Sequence, residues 1–318
     1  MSQLSALGVV DADLTPRLKF VNILPSALLI TVVVALVLGG APSHAPTMSL
    51  LLRNAGSHGW AGAVVATAGA LVAGLLLQPL ELASIRLLEG YVSPTGPLGP
   101  LARLRTWVHE NRRSRLAWQK THLRDEPGTE TARSRLALMP DQAPVLPTTL
   151  GNRLRAAEER AGRPYDLKAL LAWPRLYYVL PQDVLRSISD DRNQLDTAAR
   201  LCLSFALTSA TTAGLLLPHP RWLVLPAVFA VLSWCAYRAS VHAATTYGES
   251  VAAVFDVYRL KLLQEMNLAI PADTAKERVL NRRLMDYWSR DDDTARPRPL
   301  TYDTGSGGSG GQGGSAAP

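Results

Sequence analysis

The chain has 318 residues, of which 47% are hydrophobic and 19% charged, with a formal net charge of +7. A soluble domain usually carries about a quarter charged residues, and this balance excludes a disordered chain, a collagen-like chain and a disulfide scaffold. The two cysteines, Cys202 and Cys235, lack C-x-x-C spacing and cannot make a zinc site alone.

In chain order, residues 1–22 form an N-terminal stretch that precedes the first of four charge-free apolar runs, at 23–40, 60–80, 201–217 and 222–237. A membrane span takes about 20 apolar residues at about 1.5 Å rise each. Buried helices of soluble bundles usually keep a polar face, so these runs predict two transmembrane hairpins, 23–84 and 199–238. In the second run Gly62, Ala66, Ala70 and Gly74 recur every four residues, a stripe that lets helix backbones approach closely in lipid.

The segment 85–198 holds 18 Lys or Arg, and nine more follow residue 250, whereas the turn at 41–59 holds only Arg53. Basic residues stay on the cytoplasmic side, which predicts both termini and the central segment inside. The strong preference for Arg over Lys, with much Ala, Gly and Pro, resembles the composition of high-GC bacteria, and places the chain in a bacterial inner (plasma) membrane.

Within 85–198, residues 101–123 predict a basic helix. Arg105, Arg112, Arg113 and Arg115 accompany Trp107 and Trp118, which lie eleven residues apart and share a helix face. A basic helix with an aromatic face suits an anionic inner leaflet, and a solvated topogenic segment is the alternative. Nucleic acid is not an expected partner, because no recognition motif accompanies the charge. Residues near 125–148, rich in Pro, Thr and Glu, predict a flexible linker. Leu150 to Ala161 reads as a short helix ended by Gly162 and Pro164. Pro181-Gln-Asp183 opens a helix that runs into the third apolar run, with Leu185, Ile188, Leu195, Ala199 and Cys202 at helical spacing.

In the third run, Ser204, Thr208 and Thr212 share one side. Such hydroxyls either line a polar path or bond back to carbonyls and across to neighbouring helices. After the fourth run, Val251, Val254, Phe255, Tyr258, Leu262 and Met266 form an amphipathic stripe within a C-terminal cytosolic segment, 239–290. Thr274-Ala-Lys-Glu277 has the form of a capping box. Residues 291–318 end in a Gly/Ser tail. Its matches to G-x-S-x-G and G-x-G-x-x-G lack the strand–turn–helix context that gives either motif meaning.

The run Leu146-Pro-Thr-Thr-Leu-Gly-Asn-Arg-Leu-Arg-Ala-Ala-Glu158, followed by Trp173-Pro-Arg-Leu176, resembles a family of uncharacterised multi-span membrane proteins of high-GC bacteria. The resemblance implies a multi-span membrane fold and carries no activity or site residue.

The expected fold is therefore all-α, an integral membrane protein with four transmembrane helices and a helical cytosolic module. No catalytic residue, metal or cofactor is expected. The expected function is a non-catalytic anchor, scaffold or signal-transmitting component for a cytosolic protein partner, with a homo-oligomeric channel as the alternative. The expected partners are the lipid bilayer, its anionic inner-leaflet lipids, and further copies of the chain.

Overall fold

The computed structural model describes residues 16–54, 56, 69, 85–93, 95–97, 99–122, 128–289 and 299–302, with side chains from Ala27 onward. Gly62, Ala66, Ala70, Gly74 and the Gly/Ser tail lie outside the described residues. Among the described residues the chain is all-helical, without a strand. The helices are α1 (Pro16–Leu38), α2 (Gly99–His122), α3 (Gly128–Ala137), α4 (Thr149–Arg160), α5 (Ala169–Leu176), α6 (Gln182–Leu216), α7 (Val224–Glu265) and α8 (Thr274–Ser289).

Helices α6 and α7 form the frame. They run 35 and 42 residues, about 52 and 63 Å at 1.5 Å per residue. The short turn after Leu216 and the 3-10 turn Pro220–Leu223 bring α7 back along α6. Among the described residues these two helices, α7 with its leading turn, are long and apolar enough to cross a membrane. Of the four expected spans, the first appears as a shorter apolar stretch, Ala27–Leu38, and all of the second but Gly69 lies outside the described residues.

Around the first half of α6 and the last half of α7, helices α4, α5 and α8 pack into a body. Its core joins Leu154, Trp173, Leu176, Ile188, Leu195, Val251, Phe255, Leu262 and Leu284. The expected stripes on α6 and α7 supply much of this core, with Ile188, Leu195, Ala199, Cys202, Val251, Val254, Phe255 and Leu262 all buried. Trp173 and Phe255 meet with ring centroids 6.3 Å apart. At the other end of the frame, Leu36 and Ala41 close on Leu216, and the His219 Nε2 atom lies 3.2 Å from the Pro42 carbonyl oxygen.

Helix α4 begins where the Thr148 hydroxyl accepts the Gly151 N–H, an N-cap worth about 1 kcal/mol. Two glycines set its packing. A Cβ on Gly151 would lie 1.9 Å from the Glu89 carbonyl oxygen, and one on Gly248 of α7 would lie 2.5 Å from the Ala157 Cβ. Backbone therefore touches α4 on both sides.

The structure differs from the expected flexible linker at 125–148. Residues 128–137 form α3, and 138–148 is an irregular segment pinned to α4. The Glu159 carboxylate accepts the N–H groups of Asp141, Gln142 and Ala143. Buried Asn152 both donates to and accepts from the Leu146 backbone. Arg155 and Arg160 donate to the carbonyls of Pro144 and Ala137. Val145 and Leu146 are buried. Proline and polar residues mark irregular backbone here, but side chains from the following helix satisfy its polar groups.

The capping box before α8 also takes another form. The Asp273 carboxylate accepts the Lys276 N–H, while Glu277 turns inward, nearly buried, to pair with Arg259 at 2.8 Å. Arg259 in turn lies 3.8 Å above the Tyr165 ring. Arg282–Asp166 and the Asn281 amide on the Tyr165 carbonyl complete the docking of α8.

Candidate functional site

Where the apolar and packed halves of the frame meet, five segments surround a pocket of about 430 Å³. Leu101, Ala102 and Arg105 come from the start of α2, Pro147 and Thr148 from the entry to α4, and Cys202 from α6. Helix α7 contributes Ala230, Ser233, Trp234 and Tyr237, and Leu87 and Val92 close the side. The volume falls within the range of small-molecule sites, which are mostly apolar with a few placed polar groups.

The polar groups here have defined partners. The Tyr237 hydroxyl oxygen accepts the N–H groups of Thr149 and Leu150, so it caps α4 from α7 and fixes the wall. A phenol accepting two hydrogen bonds keeps its own proton to donate, and among the described residues no acceptor takes that proton. Ser233 donates to the Cys202 carbonyl at 2.8 Å and ties α7 to α6. The Arg238 guanidinium sits 5.9 Å from the Trp234 ring centroid, within cation–π range. Arg105 lines this mostly apolar cavity, and Arg238 lies against its Trp234 wall.

Helix α2 extends away from this pocket with two distinct faces. His109 and Leu116 are buried, and Arg113 donates to the Pro140 carbonyl. On the opposite side Leu104, Trp107 and Trp118 are exposed, and Leu101, Val108, Arg105, Arg112 and Arg115 are exposed along the flanks. Burial, then Arg112 and Arg105, push the His109 pKa below its ordinary value, so the imidazole is held neutral among cations.

In the body, Arg192 pairs with Asp196 at 3.2 Å and lies 5.8 Å from the Tyr247 ring centroid. Burial opposes its charge, but Asp196, Tyr247 and Glu89 outweigh that and hold the guanidinium pKa above its ordinary value. Burial raises the Tyr247 pKa in turn, against the pull of Arg192. Asp191 accepts a hydrogen bond from Ser250 at 2.6 Å. The Arg192–Tyr247 and Asp191–Ser250 contacts cross-link α6 to α7.

The six residues singled out for anionic-lipid contact all lie on α2, but not on one face. Arg105, Trp107, Arg112, Arg115 and Trp118 are exposed, and Arg113 turns toward the segment at Pro140. Thr208 and Thr212 are fully buried, and their hydroxyls donate to the Ser204 and Thr208 carbonyls. Ser204 is half-buried. Thr148, Trp234 and Tyr237 escaped the sequence reading. The signal for the two aromatics was their position at the end of a charge-free run, next to Arg238, where amphipathic rings gather. Among the described residues no three His, Cys, Asp or Glu side chains come together as a metal site would require.

No protein-family model matches the chain, and neither a curated protein nor a solved structure matches it. The resemblance carried by Leu146–Glu158 and Trp173–Leu176 thus remains one of sequence pattern.

Proposed function

We propose that this chain is a multi-pass protein of the bacterial inner membrane that serves as a non-catalytic anchor and signal-transmitting scaffold for a cytosolic assembly. One observation carries the reading. The apolar windows of α6 and α7 are only 28% and 17% buried, yet the same helices continue into a well-packed body. A core helix of a soluble protein would be mostly covered, whereas a lipid-facing one stays bare within its own chain. In this reading the charge-free runs 23–40 and 60–80 form the first hairpin, α6 and α7 supply the second, both termini lie in the cytoplasm, and the body stands on the inner surface. The exposed arginines and tryptophans of α2 then rest on anionic lipid, and copies of the chain associate within the bilayer.

The test has two parts. The full chain should stay in the membrane pellet after alkaline carbonate, and its release would end the reading. With Cys202 and Cys235 replaced by serine, a cysteine at His219 should react with an impermeant thiol reagent in intact cells, and one at Lys261 only after lysis. For the scaffold role, a photo-crosslinker at Tyr178, 89% exposed on the body, should capture a defined cytosolic protein in living cells. Conductance of the reconstituted chain in proteoliposomes, altered by Thr208→Leu, would turn the reading to the homo-oligomeric channel. Support for that rival is reduced by the hydroxyls of Thr208 and Thr212 bonding within their own helix.

A further inference from the structure

We infer that the pocket between α2, α6 and α7 holds one anionic phospholipid of the inner leaflet, its phosphate against Arg105 and one acyl chain along the Ala230 wall. This rests on the membrane reading above, and narrows it from a general basic surface to a single bound molecule.

Four observations meet at this place. The first is level. Cys202 stands just after Arg200 at the start of one charge-free run, and Trp234 and Tyr237 just before Arg238 at the end of the other. In a bilayer this is the depth where headgroups give way to chains. The second is lining. Leu87, Val92, Leu101, Ala102, Ala230 and Trp234 make the walls apolar, as a hydrocarbon chain requires.

The third is charge. Arg105 lines the cavity and Arg238 lies beside its Trp234 wall, and no Asp or Glu is among the lining residues. A guanidinium matches the planar spread of two phosphate oxygens. The fourth is the Tyr237 hydroxyl. With its oxygen accepting from the N-terminus of α4, its proton remains to be donated, and a phosphodiester oxygen can accept it. The same two hydrogen bonds satisfy the Thr149 and Leu150 N–H groups, so Arg105 and Tyr237, rather than the helix N-terminus, are the phosphate contacts.

The ligand class follows from these groups. A zwitterionic choline lipid brings a third cation to a site already holding two. A glycerol headgroup adds hydroxyls and no charge. The site therefore favours phosphatidylglycerol-type lipids, and free phosphate, which has no chain for the apolar walls, binds weakly.

Native mass spectrometry of the full chain, purified in detergent, tests this with dioleoyl phosphatidylglycerol, dioleoyl phosphatidylcholine and inorganic phosphate as probes. The glycerol lipid should be retained about tenfold more strongly than the choline lipid. Arg105→Gln should remove most of that preference and Arg105→Lys restore part of it. Ala230→Trp, at an exposed position, should fill the pocket and block both lipids. Equal retention of the two lipids, an unaltered preference in Arg105→Gln, or displacement by millimolar phosphate would each overturn the inference. Carbonate extraction separates the two levels: a chain that resists it but shows no lipid preference loses the pocket assignment alone, and a chain that is released loses the membrane reading as well.

Discussion

Helix α7 carries two valines of similar exposure in unlike places. Val231 is 59% exposed and lies between Pro226 and Trp234, in a stretch without charge. Val257 is 68% exposed and lies between Asp256 and Tyr258, on the outside of the body. Around Val257 the opposite face of the helix is occupied, since Val254, Phe255 and Leu262 are buried. Around Val231 the exposure continues through Val224, Val228, Leu232 and Trp234. A single exposed valine is ordinary, but a contiguous apolar surface asks for a second phase or a partner. The difference between the halves therefore lies in the neighbourhood rather than in any one residue.

The largest effect should come from the packed half. Phe255→Ala removes a fully buried ring and should cost about 3–5 kcal/mol of body stability, read by denaturant unfolding. Val231→Ala, with little to uncover, should change the same measurement by less than about 0.5 kcal/mol. Comparable losses would erase the contrast between the halves.

The two valines themselves give the next test. Val231→Asp places a charge in the apolar half; on the membrane reading, where an aspartate near a span centre costs about 2.5–3.5 kcal/mol, it should lower the membrane-retained fraction in cell fractionation. Val257→Asp should leave that fraction unchanged. Equal behaviour would mean that both halves face water.

Gly248→Val probes the contact between α4 and α7. The added Cβ meets Ala157 at 2.5 Å, and overpacking of this kind costs about 1–3 kcal/mol. The loss should appear as faster hydrogen exchange in α4 and not in the apolar half. The smallest effect concerns His109. Because burial and its neighbouring arginines lower its pKa, the unfolded chain binds the proton more readily than the folded one. Docking of α2 should be fully stable above about pH 6.5, the ordinary histidine value, and should weaken as pH falls below it. Hydrogen exchange across α2 should show this, and His109→Gln should flatten the dependence.

What was legible in the sequence is what repeats locally. The period of Ile188, Leu195, Ala199 and Cys202 marked α6, and that of Val251, Val254, Phe255 and Leu262 marked the far half of α7. The arginine and tryptophan spacing marked α2. What was not legible depends on residues far apart. Nothing near Asp141 announces that Glu159 will accept its N–H, so an ordered segment resembled a linker. Glu277 had a local partner on offer at its own helix start, and a distant one, Arg259, took it once Asp273 supplied the cap. The pocket draws its lining from Leu87 to Tyr237, a separation at which pattern gives no guidance, and among its members only Arg105 was expected to touch a ligand.

The unbroken length of α7 has a mechanical consequence. A beam of about 63 Å converts rotation into displacement, and a tilt of about 5° at one end moves the other by roughly 5 Å. That is as far as one helical turn rises, enough to carry Arg259 off the Tyr165 ring or to shift the seat of α8. A small change of angle at the apolar end therefore arrives at the base of the body as a displacement of side-chain size.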